Sequence, residues 1–132
     1  AFKDAGAKRA LVLPVSVPSH CSLMKEAANE FKYSVDNIEL RMSDLRVIHN
    51  VDADYSNSIE EIKSKLVEQL YKPVLWRSSV IKMKELGVEM LIEAGPGKVL
   101  SGLTKRIDKS LTASAIIDVS SLKSTIEGIS NA

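Results

Sequence analysis

Val88-Glu89-Met90-Leu91-Ile92, the turn Gly95-Pro96-Gly97, a segment carrying Leu100, Leu103 and Ile107, and then Leu111 to Ile117 read in chain order as strand, turn, helix and strand. The two apolar runs have strand length, while the leucines and isoleucine between them recur at the three- and four-residue spacing of one helix face. A strand, helix, strand unit of this kind closes by a crossover. It therefore implies parallel strands with helices packed on their faces, an α/β architecture.

Working upstream, Trp76, Val80 and Met83 share one face of a helix that runs to Gly87, a residue suited to the left-handed conformation that ends helices. Before it, Ser58 with Glu61 forms a capping box, and Ile59, Ile62, Leu66 and Leu70 continue as one stripe until Pro73 forces an end at Lys72. Leu23, Ala27, Phe31, Val35 and Ile38 predict an amphipathic helix from Ser22 to about Asp36-Asn37, and Ser121 to Ile129 predicts the last one. Two further strands are expected. One is Arg46 to Val51; the other spans Leu11 to Pro18, where Pro14 and Pro18 confine it to a sheet edge or a strand running into a loop. Residues 1–18 are set apart as belonging to a different subdomain, and no internal repeat or low-complexity linker divides the rest.

The 132 residues are 45% apolar and 27% charged with a net charge of +1, the composition of a globular chain able to bury one core. Eighteen basic residues are offset by 17 acidic ones, so there is no basic stripe and nucleic acid is not an expected partner. No apolar run approaches a bilayer span, so no membrane partner is expected. Cys21 is the single cysteine and there are two histidines, too few for an internal disulfide or a four-ligand zinc site. No metal is expected, and the cysteine count suits a cytoplasmic location.

Chemistry is sought first at Pro18-Ser19-His20-Cys21-Ser22, which puts a histidine where an apolar run ends and a helix begins. The positive end of a helix favours a neutral imidazole, able to accept a proton. Cys21, adjacent in sequence, is not assigned as its nucleophile. Gln69 lies at the border of the Ile62 stripe and should be partly buried. Gly95-Pro96-Gly97-Lys98 is not a phosphate loop, because Ile92 stands where the first glycine belongs and Val99 where a Ser/Thr is required. Asp52 to Lys63 fails as a calcium loop, with Asn57 at the sixth position and Lys63 at the twelfth. No Gly-x-Ser-x-Gly elbow occurs, so the catalytic set is incomplete within these residues.

Three blocks, Leu13-Pro14-Val15-Ser16-Val17-Pro18-Ser19-His20-Cys21, Gln69-Leu70-Tyr71-Lys72-Pro73-Val74-Leu75-Trp76 and Glu93-Ala94-Gly95-Pro96-Gly97-Lys98-Val99-Leu100, resemble the C-terminal portion of bacterial malonyl-CoA:acyl carrier protein transacylases. The resemblance implies part of an α/β-hydrolase-like core with parallel strands and flanking helices (residues 19–132). Residues 1–18 would then be the last elements of a ferredoxin-like small subdomain. It further implies an acyl-serine enzyme of fatty-acid synthesis that takes malonyl from malonyl-CoA to acyl carrier protein. No cofactor is implied beyond the coenzyme A and phosphopantetheine of the substrates. His20 matches the family's base, and Gln69 the residue whose backbone carbonyl orients it. The nucleophilic serine has no counterpart in this chain, which alone should be inactive. Lys8 and Arg9 are candidates to flank the carrier-binding channel. Two other readings are a polyketide synthase acyltransferase domain and a non-catalytic carrier-binding fragment.

Overall fold

A computed structural model describes residues 1–12 and 15–130. The described residues up to Cys21 form turns and irregular backbone. One turn of 3-10 helix at Ser22–Met24 leads into α1 (Lys25–Asp36), followed by α2 (Ile59–Glu68), α3 (Trp76–Glu85), β1 (Met90–Ala94), α4 (Val99–Ile107), β2 (Thr112–Ile116) and α5 (Val119–Ser130).

The strand, helix, strand reading of the second half is what the structure contains. β1 and β2 pair in parallel, Met90 beside Thr112 through to Ala94 beside Ile116, and the connection between them is α4. α4 packs on both strands and against α3, while α5 packs on β2. Helix-to-sheet packing is close because the facing side chains are small: Ser79, Val80, Ser101, Thr104, Ala113 and Thr125 are buried. Lys98 supplies no side-chain cap for α4; Glu93, from the end of β1, does so instead. Its carboxylate accepts from the Ser101 amide (2.8 Å), the Ser101 hydroxyl (2.8 Å) and the Leu100 amide (3.2 Å), and the first of these does most to hold it below the usual carboxylate range.

Several local signals act as expected. Ser58 accepts from the Glu61 amide at 3.1 Å, and the Glu61 carboxylate answers the Asn57 amide at 2.8 Å, a capping box displaced by one residue. Gly87, at φ +88°, ends α3: its own amide reaches the Lys84 carbonyl and that of Val88 the Met83 carbonyl, a paired arrangement that needs a left-handed residue.

Others do not. The strand expected over Leu11 to Pro18 falls partly on Leu13 and Pro14, which lie outside the described residues. Leu11, Val12 and Val15 to Pro18 are not in a strand, and among the described residues no strand pairs with them. Arg46 to Val51 is likewise not a strand. Only His49 pairs, with Asp54, in a single antiparallel bridge across a tight turn in which Ala53 takes φ +60°. That turn is a tie between helices: Lys65 of α2 meets Asp52 at 2.8 Å, Lys82 of α3 meets Asp54 at 3.1 Å, and the Leu75 amide donates to the Asn50 carbonyl at 2.8 Å. α2 stops at Glu68, four residues before the expected Lys72, and continues as a looser turn.

α1 lies against α2. Ala28 and Val35, seven residues apart and so on one stripe, are the buried residues of α1. At the far end of the pair the Lys63 ammonium donates to the Asp36 carbonyl at 2.9 Å, closing the C-terminus of α1. Because α1 begins beyond His20 and α2 ends at Glu68, this packing brings His20 to the C-terminal end of α2.

Candidate active site

His20 sits in the left-handed region, at φ +61°, a conformation that costs a residue with a β-carbon some free energy and persists where surrounding bonds enforce it. Two such bonds are present. The His20 amide donates to the Leu70 carbonyl at 2.9 Å, and its ring Nδ1 lies 2.8 Å from the Gln69 carbonyl. Both acceptors lie in the turn that follows α2, at its C-cap residue Gln69 and the next position, where carbonyls lack intrahelical partners.

The contact fixes the tautomer by elimination. A carbonyl oxygen only accepts, so at 2.8 Å Nδ1 must carry the hydrogen. Nε2 is then the unprotonated nitrogen in the neutral ring. The Gln69 side-chain Nε2 also approaches Nδ1, at 3.3 Å, but an amide N–H has no lone pair to meet there once Nδ1 is a donor. The backbone carbonyl is therefore the bond that matters. Such a ring can accept a proton at Nε2 while Nδ1–H remains bonded, and the carbonyl dipole then faces the cation that forms.

The Cys21 thiol donates to the Pro18 carbonyl at 3.1 Å. Lys8 and Arg9 lie exposed in the irregular first segment; among the described residues neither forms an ion pair or hydrogen bond with His20 or Gln69. The structure brings together His20 and Gln69, 49 residues apart. The Leu70 carbonyl, a second anchor for His20, escaped the sequence reading. The signal for it was the next position in the same block. Among the described residues no cluster of His, Cys, Asp and Glu side chains is placed to hold a metal, and no helix is long and apolar enough to cross a membrane.

Fold and site thus define an α/β protein whose histidine is held by main-chain acceptors in one tautomer, with Nε2 left able to accept a proton. More particularly, the chain matches the C-terminal portion of malonyl CoA-acyl carrier protein transacylases. The Haemophilus influenzae protein of that name is 50% identical over 125 residues, which cover 95% of this chain and 40% of the relative. A crystal structure of an acyl carrier protein S-malonyltransferase from Vibrio cholerae is 53% identical, superimposes with a TM-score of 0.85, and is matched over 93% of this chain and 40% of its own. A malonyl-transacylase in complex with a type II PKS acyl-carrier protein is 49% identical with a TM-score of 0.88, over 96% of this chain and 41% of that one. The chain thus spans about 40% of the length of the relatives it matches. No protein-family model matches it.

Proposed function

We propose that this chain is the histidine-bearing portion of an acyltransferase that moves malonyl from coenzyme A to the phosphopantetheine thiol of acyl carrier protein in fatty-acid synthesis. The observation carrying it is the Nδ1 contact of His20 with the Gln69 carbonyl, on a chain half identical to transacylases of that name. In this reading the nucleophilic serine is supplied from outside these 132 residues. The small-subdomain assignment of residues 1–18 and the α/β-hydrolase-like assignment of 19–132 rest on the same resemblance, and the cytoplasmic location on the single cysteine.

In this reading Nε2 of His20 takes the serine proton as the serine oxygen attacks the malonyl thioester carbonyl. The imidazolium so formed keeps its Nδ1–H on Gln69 and gives the Nε2 proton to the departing coenzyme A sulfur, leaving malonyl as a serine ester. The second half runs in reverse. Nε2 takes the proton of the carrier's thiol, the sulfur attacks the ester carbonyl, and the proton returns to the serine oxygen as malonyl leaves on the carrier. No cofactor enters either half beyond the pantetheine arms of the two substrates.

A second acceptor class is favoured by one finding: a similar malonyl-transacylase is known bound to a type II PKS acyl-carrier protein. Incubating the full-length protein with malonyl-CoA and either a fatty-acid or a polyketide carrier protein, and weighing the carrier by mass spectrometry, tests both readings. Malonyl-carrier with the fatty-acid acceptor at the higher second-order rate is expected. A folded full-length protein that loads neither carrier would overturn the proposal.

A further inference from the structure

The Gln69 carbonyl can serve His20 only because the helix does not use it, and the reason lies four residues on. Near the end of α2 the Lys65 carbonyl is taken by the Gln69 amide (2.9 Å), Val67 by Leu70 (3.2 Å), and Glu68 by both Tyr71 (3.1 Å) and Lys72 (2.9 Å); Leu66 is passed over as the bonding tightens to the three-residue spacing. The next acceptor is Gln69. Its helical donors would be the amide at position 72, already committed to Glu68, and the amide at position 73. Position 73 is proline, which has no N–H.

We infer that Pro73 is a positioning residue for the transfer reaction: by withholding an amide donor from the Gln69 carbonyl, it reserves that acceptor for Nδ1 of His20 and so keeps Nε2 free of its proton. The inference rests on the proposed role of His20 and deepens it. It also accounts for the chain not resuming a helix after Lys72. Proline disfavours helical geometry at the residue before it, the chain leaves the helix axis, and the next tie made by the segment is the Leu75 amide to the Asn50 carbonyl at 2.8 Å. The Leu70 carbonyl, in the same released turn, takes the His20 amide, so one interruption of the helix supplies both anchors of a residue held in the left-handed region.

A carbonyl has two lone pairs, so a restored donor at position 73 competes with His20 and does not exclude it. The expected effect is accordingly that of weakening one hydrogen bond. The test places two residues at position 73 of the full-length protein that contains this chain. Pro73→Ala restores the N–H. The α-hydroxy analogue of alanine, lactic acid, introduced by nonsense suppression, removes the proline ring yet keeps the donor absent.

Ring nitrogen-15 resonances of His20, assigned by their disappearance in His20→Gln, report the tautomer. In Pro73→Ala the share of Nδ1–H should fall and kcat should drop about threefold with KM within about twofold, part of the worth of one hydrogen bond. The lactic acid variant should restore both the tautomer and kcat. Equal losses in the two variants would show that ring stiffness or the helix stop is what matters, and an unchanged tautomer in Pro73→Ala would overturn the inference outright. Should Pro73→Ala fail to fold, the lactic acid variant still decides, since loss of the Nδ1–H tautomer there contradicts the inference. The resonance measurement needs no turnover, so an inert protein would count against the proposed function while leaving the role of Pro73 readable.

Discussion

Val35→Ala tests whether the contact that frames the site is the α1–α2 face. Val35 is 2% exposed, in the last turn of α1, on the same stripe as the fully buried Ala28. Removing two buried carbons forfeits about 1.6 kcal/mol of transfer free energy at about 0.8 kcal/mol each. A rigid void of about 50 Å³ would add about 1.2 kcal/mol, but half-exposed neighbours such as Phe31, at 38%, can settle into part of it. The expected loss is therefore about 2 kcal/mol, which at a urea slope of about 2 kcal/mol per M moves the unfolding midpoint down by about 1 M. Fluorescence of Trp76, the single tryptophan of the chain, is the signal for the titration. Val119→Ala is the matched control: the same two carbons leave a side chain that is 68% exposed, and the change should stay within about 0.5 kcal/mol. Equal midpoints for the two variants would refute the packing that brings His20 to the end of α2.

Three further outcomes follow from the site and its supports. Gln69→Ala keeps the carbonyl and should lower malonyl transfer less than about threefold, the size of a minor hydrogen-bond change; a loss as large as that from removing His20, in a folded protein, would show that the side chain matters. Charge reversal of Lys8 and Arg9 to Glu should slow reaction with an acidic carrier protein several-fold at low salt and much less at high salt, because rim charges act chiefly on association. Transfer to a short pantetheine thiol should hardly change, and equal losses with both acceptors would end the docking idea. Burial, aided by Lys65 and opposed by Asp52, lowers the His49 imidazole below its ordinary 6.5, and its Nε2 is buried without a partner among the described residues. The unfolded chain then binds a proton that the folded chain resists, so stability is full above about pH 6.5 and is lost as pH falls toward the lower folded value. His49→Gln should flatten urea midpoints measured between about pH 7 and 5; an unchanged slope would assign the acid sensitivity elsewhere.

The second half of the chain was legible because its signals are local. Leu100, Leu103 and Ile107 mark their helix wherever the sheet lies, and Gly87 ends α3 through its own backbone freedom. Strand readings failed where pairing is not local. Arg46 to Val51 has strand composition, but among the described residues only His49 forms a β-bridge, and the segment serves instead as a tie between α2 and α3. At the site, composition and spacing pointed to His20 at a helix mouth but gave no route to Gln69, 49 residues away; the resemblance paired them. Left-handed backbone at His20 and Ala53 left no trace in residue type, since neither is glycine. Pro73 was read as a helix stop, and its effect on which carbonyl stays free became visible only with the hydrogen bonds of the turn in view.

The central claim is that His20 carries the proton in malonyl transfer, and single-turnover transfer by the full-length protein bearing His20→Ala addresses it most directly. With folding verified and malonyl-CoA binding retained, transfer should slow by roughly 10²–10⁴-fold, the range of a lost acid–base group. Transfer at the unsubstituted rate in that variant would contradict the account.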